Sequence, residues 1–319
     1  MRSPLYLVVG TTTVDLYLTG MDRLPSAGSD EFTPSSYAFL EEPVSAALGG
    51  NGANCAVVLA ALGAHTALCS IVGRDAFGEL ACGWLAEKGV RLEGLVLSGE
   101  FATACTAIAT DRAGRRLSLH HPGGSFHYSL KDLPQALLTR ASALLLTSYP
   151  LLKAFRPEGH RQALGSAKAA GAVTALDIGP LVEPPPSVEE LAPLLPSVDY
   201  LMANERELSV LLPGQPLERI WEALFERGLE NLVVKRGSEG CSLIAAQGRL
   251  DCPAFPVQAG LTVGAGDSFD AAFLYGSLQG WESLRVLRFA SAAAAAVVAS
   301  RRGPCGCPTL DQIEALLAR

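Results

Sequence analysis

The feature that most constrains this chain is a repeated succession: a helical apolar pattern, a terminating glycine, then a short apolar run. Asn51–Leu62 stops at Gly63 before Thr66–Val72, and Ala76–Lys88 stops at Gly89. Pro157–Ala170 stops at Gly171 before Val173–Asp177, and Pro216–Arg227 stops at Gly228 before Asn231–Lys235. Glycine ends helices because it takes the left-handed cap conformation without a Cβ clash. Helices alternating with buried strands predict an α/β fold: a doubly wound, mostly parallel sheet with helices on both faces and ligands at the carboxyl ends of the strands. Leu5–Val9 reads as the first strand, since it is too short for a signal sequence and runs on into Asp15.

Two stretches break the rhythm. Residues 30–48 alternate loosely through Phe32, Tyr37 and Phe39, and residues 95–121 hold two β-like runs, Cys105–Thr110 and Arg115–His121. Asp111-Arg112-Ala113-Gly114 between those runs has hairpin-turn chemistry. Antiparallel strands inserted in such a fold predict a small β-sheet lid beside the site, or else an edge hairpin without function. The expected organisation is one domain over residues 1–319 with lid segments at about 11–48 and 95–121. The alanine run 292–296 belongs to a buried helix.

Composition excludes several classes. Apolar residues make up 49% and charged residues 18%, enough for a full-sized core and wrong for a disordered chain. A net charge of −7 argues against a nucleic-acid partner, which calls for clustered Lys and Arg. The longest apolar run, Phe289–Ala299, falls short of a membrane span, so no membrane and a cytoplasmic location are expected. The eight cysteines are mostly scattered through apolar segments, with Cys305 and Cys307 as the one close pair, and none stands at zinc-ligand spacing to a histidine. Reduced core thiols are expected.

Two glycine-rich segments carry the chemistry. Gly264-Ala265-Gly266-Asp267 opens an apolar helical pattern running through Leu278. Small residues at a helix start free backbone N–H groups to face one anion, and Asp267 beside them could take a proton from an attacking hydroxyl. The bland alternative is an ordinary first-turn Asp. Gly49-Gly50-Asn51-Gly52-Ala53-Asn54 opens another helix, with Asn51 an N-cap or Asn54 a hydrogen-bonding partner for a polyhydroxylated ligand. Neither segment is a Walker A loop or a complete GxGxxG.

In this order the segments resemble the ribokinase-like, PfkB-type carbohydrate kinases. Gly49–Asn54 with Ala60–Gly63 and Val72–Gly78 resembles that family's N-terminal signature, and Thr262–Phe269 its C-terminal one. Between them, Asn204-Glu205-Arg206-Glu207 matches an NxxE motif, and Lys235-Arg236-Gly237-Ser238-Glu239-Gly240 resembles a nucleotide-binding KxGxxG turn. The resemblance implies transfer of phosphate from ATP to a hydroxymethyl group of a sugar, with Asp267 as base and the backbone of Gly264, Ala265 and Gly266 as anion hole. It implies substrate contacts at Asp15, Gly49, Gly50, Asn51 and Asn54, and nucleotide contacts at Asn204, Lys235, Gly237, Gly240 and Ser291. Asn204 and Glu207 would organise magnesium through waters, against a simple capping-box reading. Lys235 reads as a strand-end charge and Asp75 as a turn or N-cap residue.

The chain also departs from the family pattern. Leu261 stands where the family usually has an Asp beside a monovalent cation, which speaks against a potassium requirement. Asp177-Ile178-Gly179-Pro180-Leu181 lacks the family's Asn and Arg, and Asn51 replaces the Lys usual in ribokinases. A nucleoside kinase is the nearest alternative, with Tyr37 and Phe39 on one face of a lid strand covering a base. A non-catalytic sugar or nucleotide sensor is a further one. The family's lid is often a dimer surface, so a homodimer through the lid belongs among the expected partners.

Overall fold

The computed structural model describes residues 3–25, 34–36, 39–182, 184–257, 262–300 and 303–318. The first part of the chain forms β1 (Leu5–Val9), β2 (Thr13–Met21), β3 (Ser45–Gly49), α1 (Asn51–Ala61), β4 (His65–Gly73), α2 (Ala76–Glu87) and β5 (Arg91–Ser98). Next come β6 (Ala104–Asp111), β7 (Arg116–His121), α3 (Gln135–Leu138), β8 (Ala143–Leu146), α4 (Glu158–Ala169) and β9 (Val173–Asp177). They are followed by α5 (Val188–Leu191), β10 (Tyr200–Asn204), α6 (Glu205–Ser209), α7 (Leu217–Phe225) and β11 (Asn231–Lys235). The last elements are β12 (Cys241–Ala245), β13 (Gly248–Cys252), α8 (Ala265–Leu278), α9 (Ser283–Ser300) and α10 (Leu310–Leu317).

Among the described residues the strands make two sheets. The large one runs β13-β12-β11-β10-β9-β8-β1-β4-β5 and the small one β3-β2-β6-β7. From β5 to β11 the large sheet is parallel throughout. Alternate residues of β1 enter different cores, as a strand covered on both faces requires. Leu5, Leu7 and Val9 join the core under α3–α7, and Tyr6 and Val8 the core under α1, α2 and α8–α10. β12 and β13 close one edge as an antiparallel hairpin that the periodicity did not reveal. Its β-branched content is low, so only pairing against β11 defines it.

The lid exists, with corrected limits. β5 belongs to the large sheet, so the second lid segment begins at Ala104 rather than near residue 95. Phe32 and Tyr37 lie outside the described residues, and Phe39 lies outside any strand with 82% of its surface exposed. The expectation for Tyr37 thus falls outside the described residues, and a short 3₁₀ turn is described at Pro34–Ser36. Among the described residues one helix, α9, is long and apolar enough to cross a membrane by length and composition, contrary to the expectation from the run Phe289–Ala299. It is a core helix here: Phe289, Ala290, Ala292, Ala293 and Val297 are buried against the rest of the protein.

Candidate active site

The order of the large sheet reverses at β1: the chain moves to β4 and β5 on one side and later to β8–β11 on the other. The two chain exits diverge there and leave a crevice at the carboxyl ends, the expected ligand position. Thr11 after β1 and Ser148 after β8 meet across it. The Ser148 hydroxyl accepts from the Thr11 amide at 3.2 Å, lies 2.9 Å from its hydroxyl, and donates to Asn51 Oδ1 at 3.3 Å. Ser148 holds φ at 61°, a left-handed conformation that costs a non-glycine residue energy and marks a position fixed by its surroundings. Sequence reasoning missed Ser148; its signal was the polar pair Thr147-Ser148 directly after a wholly apolar strand.

Gly50, not Asn51, is the N-cap of α1, and no side chain caps that helix. Both asparagine amides instead reach the first turn of α8. Asn51 Nδ2 donates to Asp267 Oδ1 at 2.8 Å, and Asn54 Nδ2 to Oδ2 at 2.7 Å. The two glycine-rich segments, more than two hundred residues apart, thus meet at a single carboxylate. Asn54 Nδ2 thus gives one of its hydrogen bonds to Asp267. Burial pushes the Asp267 carboxyl up to about 6, with the two amides and Lys235 pulling it down. A carboxylate oriented by two donors and poised near neutrality suits a general base.

The first turn of α8 starts on a glycine that its surroundings require. Gly264 sits at φ 74°, and a Cβ there would lie 2.2 Å from Pro304 Cγ, so neither conformation nor space admits another residue. No side chain caps α8, in contrast to α2, where Asp75 accepts from Gly78 N at 2.8 Å as the N-cap. Asp267 lies in the first turn of α8, as the bland reading has it, and its carboxylate is held by Asn51 and Asn54 rather than by a capping bond. Of the expected anion-hole residues Gly264, Ala265 and Gly266, the Ala265 N–H is engaged with Thr262 O at 3.2 Å. No side-chain cap reaches this helix start, which leaves the Gly266 N–H and, beyond the expected set, that of Asp267 uncapped.

Asn204 and Glu207 form the capping box of α6. Asn204 Oδ1 accepts from Glu207 N at 3.0 Å, and Glu207 Oε2 accepts from Asn204 N at 2.8 Å. The capping reading is realised, and each residue keeps one further polar atom for another partner. Burial pushes the Glu207 carboxyl up to about 7, with Lys235 drawing it down and Asp177 and Asp267 raising it further. Among the described residues no group of three His, Cys, Asp or Glu side chains is arranged to hold a metal alone. The donor set still fits magnesium: hard oxygens with surplus negative charge, to be completed by water and phosphate oxygens.

Lys235 ends β11, the strand-end position expected of it, but it is held in an ionic cluster there. Its side chain is 13% exposed, and its ammonium lies 2.9 Å from Asp177 Oδ1 and 2.7 Å from Asp270 Oδ2. Thr147 Oγ1 donates to the other Asp177 oxygen at 3.0 Å. Asp270, absent from the sequence reading, was visible as a charged residue one turn after Asp267 in an apolar helix. Gly237 and Gly240 frame the turn between β11 and β12, where Arg236 N donates to Gly240 O at 2.8 Å. A Cβ on Gly240 would fall 2.1 Å from Cys252 O, so packing against β13 demands that glycine, while Gly237 faces open space. Ser291 is buried within α9.

The small sheet carries the remaining substrate candidate, Asp15. Asp15 pairs in register with Ala47 of β3 and Thr106 of β6, and Thr106 pairs with His120 of β7. These partners share one face, since directly opposed residues point the same way. Asp15 accepts from Thr13 Oγ1 at 3.0 Å, and a Cβ on Gly49 would lie 2.3 Å from its carboxylate. Burial raises its carboxyl, opposed by Thr13, Thr106, His120 and Arg116.

A doubly wound sheet, a β-lid and a carboxylate at an uncapped helix start define a small-molecule phosphotransferase site. The model of the pfkB family of carbohydrate kinases matches residues 8–309. An ATP-dependent ribose-1-phosphate kinase of Halopiger xanaduensis is 30% identical over 298 residues, covering 93% of each chain. A 5-dehydro-2-deoxygluconokinase of Clostridium beijerinckii is 26% identical, covering 83% of this chain and 82% of the relative. The structure of Arabidopsis thaliana ribokinase complexed with ribose and ATP superposes with a TM-score of 0.84 at 27% identity over 100% of both chains. The chain belongs to the pfkB family of carbohydrate kinases, and its activity class is that of an ATP-dependent sugar kinase.

Proposed function

We propose that the protein transfers the γ-phosphate of ATP to a hydroxymethyl group of a sugar that itself carries a negative group. The observation that carries the transfer chemistry is the convergence of Asn51 and Asn54 on Asp267 beside the uncapped start of α8. Asp267 takes the proton of the acceptor hydroxyl, and its two amide partners hold its oxygens toward the crevice. The Gly266 and Asp267 N–H groups meet the charge that develops on the transferring phosphoryl oxygens. Magnesium, when bound near Asn204 and Glu207, screens the phosphate charge. Gly237 leaves the nucleotide room at the end of β11. Asp15 holds acceptor hydroxyls, and the lid excludes water that would otherwise hydrolyse ATP.

An anionic acceptor is favoured by Arg116, whose charge acts on Asp15 from β7, while burial holds the neighbouring His120 imidazole below its usual range as a hydrogen-bonding partner. The relatives named for ribose 1-phosphate and 5-dehydro-2-deoxygluconate point the same way. We include in this reading a cytoplasmic location, consistent with free thiols at Cys55, Cys69, Cys241 and Cys252, and a homodimer through the lid, whose β7 exposes Leu117 and Leu119. A substrate panel of sugar phosphates, sugar acids, neutral sugars and nucleosides with coupled ADP detection tests it. Preferred turnover of a nucleoside would replace the acceptor, and ligand binding without turnover on any compound would replace catalysis with sensing.

A further inference from the structure

Beneath the phosphoryl-transfer crevice, three buried side chains from three elements form a closed ionic cluster. Lys235 ends β11, Asp177 ends β9, and Asp270 lies one turn into α8. The Lys235 ammonium contacts both Asp270 oxygens, at 2.7 and 3.0 Å, and one Asp177 oxygen at 2.9 Å. Asp270 is 1% and Asp177 4% exposed. The ammonium also lies 3.7 Å from where a Cβ on Gly266 would stand, directly under the backbone expected to receive the phosphoryl oxygens.

A buried ion cluster is costly, and two carboxylates on one ammonium leave the group short of positive charge. Replacing such a cluster with apolar residues of similar volume would often be neutral for stability, so its presence beneath a reaction centre calls for another account. We propose that Lys235 is a positioning residue of the kinase: a fixed internal cation, clamped by Asp177 and Asp270, that supports negative charge on Asp267 and on the transferring phosphoryl group from below. This rests on the assignment of Asp267 as base. The groups acting on Asp267 are Asn51, Asn54 and Cys55 of α1, Asp177, Glu207, Asp270 and Lys235. Lys235 is the cation whose charge favours the ionised forms of Asp267, Glu207 and Asp270 alike. Its clamp also ties the first turns of α8 to two strands of the sheet, so anion hole and base keep one geometry.

The test uses purified Lys235→Met, Lys235→Arg, Asp270→Asn and Asp267→Asn chains, compared by thermal melting and by full pH profiles of kcat and KM. Loss of a direct oxyanion donor costs about 10²–10³ in kcat, and a charge acting through Asp267 and the backbone should cost about 10–100-fold. We expect that loss in Lys235→Met with KM for ATP within about threefold, and the acidic limb of its profile moved to higher pH. Lys235→Arg should recover most of kcat, and Asp270→Asn should move the limb to lower pH. Opposite displacements follow from opposite charges and not from a general loosening of the fold. A folded Lys235→Met chain with wild-type kcat and limb overturns the proposal; if that chain does not fold, an unmoved limb in Asp270→Asn does. Normal turnover by Asp267→Asn would instead remove the base assignment, an outcome read separately from the other three.

Discussion

The two halves of the site are built on opposite electrostatic plans. On the body side, Asp267, Asp270, Asp177 and Lys235 are locked in the large sheet and α8 with little exposure. On the lid side, Arg116 and His120 stand on β7, every residue of which is exposed. The body sheet is covered on both faces, so its charges must be paired and their geometry is fixed. The lid is four strands whose outer strand β7 is exposed, so Arg116 there can change partners when a ligand arrives, while Asp15 on β2 is buried. On the function proposed above, the first plan serves the chemistry and the second the selection of an acceptor.

The sharpest way to break this contrast is Asp267→Asn. It keeps shape and removes basicity, and general-base catalysis is worth about 10²–10⁴ in rate, so kcat should fall by that order while both ligands still bind. Near-normal kcat in a steady-state assay would end the assignment. In the wild type, the carboxyl held near 6 must be ionised to accept a proton, so kcat/KM should fall as pH drops through about 6. A profile flat down to pH 5 would mean that another group sets the rate.

Asp15→Ala and Asn54→Ala separate the halves. Losing a buried hydrogen-bond partner costs about 1–3 kcal/mol, so Asp15→Ala should weaken acceptor binding by that amount in calorimetry and leave ATP binding unchanged. Asn54→Ala should lower kcat as well, because its amide holds Asp267 Oδ2. Equal effects on both ligands from Asp15→Ala would move that residue out of the acceptor half.

Glu207→Gln probes the cost of the body's surplus negative charge. Folding lifts Glu207 from 4.5 to about 7, so the folded state holds its proton more tightly than the unfolded state. Stability tied to this group is present at low pH and is lost as pH rises through that window. The neutral variant should therefore be more stable than wild type by about 1 kcal/mol at pH 8, with the difference vanishing near pH 4. It should also need more magnesium for half-maximal turnover. Denaturant melts at the two pH values and a magnesium titration check both outcomes.

The smallest effect concerns potassium. Leu261, which lies outside the described residues, offers no side-chain oxygen where the family pattern has a carboxylate, and carbonyls alone hold potassium weakly. Replacing potassium with a bulky organic cation at constant ionic strength should change turnover less than about twofold. Strong saturable activation would show that another group supplies the missing charge.

Much of the body was legible because its signals are local. The periodicity of Asn51–Leu62 and the apolar runs Val173–Asp177 and Asn231–Lys235 coincide with α1, β9 and β11 to within a residue. Glycine stops and apolar period arise within one element and survive without tertiary context. The hairpin β12–β13 and the true start of the lid were less legible, because edge strands carry weak patterns and are defined by the neighbour they pair with.

For the site, the sequence alone determined which residue types could do the chemistry: small residues and an Asp before α8, and paired Gly and Asn before α1. Only the tertiary structure decided what those residues do to one another. It turned Asn51 and Asn54 onto Asp267, left α8 without a side-chain cap, and drew Lys235 inward to Asp177 and Asp270. Such pairings join residues tens to hundreds of positions apart. A side chain's partner is set by which strand ends the sheet order brings together, and no local pattern records that.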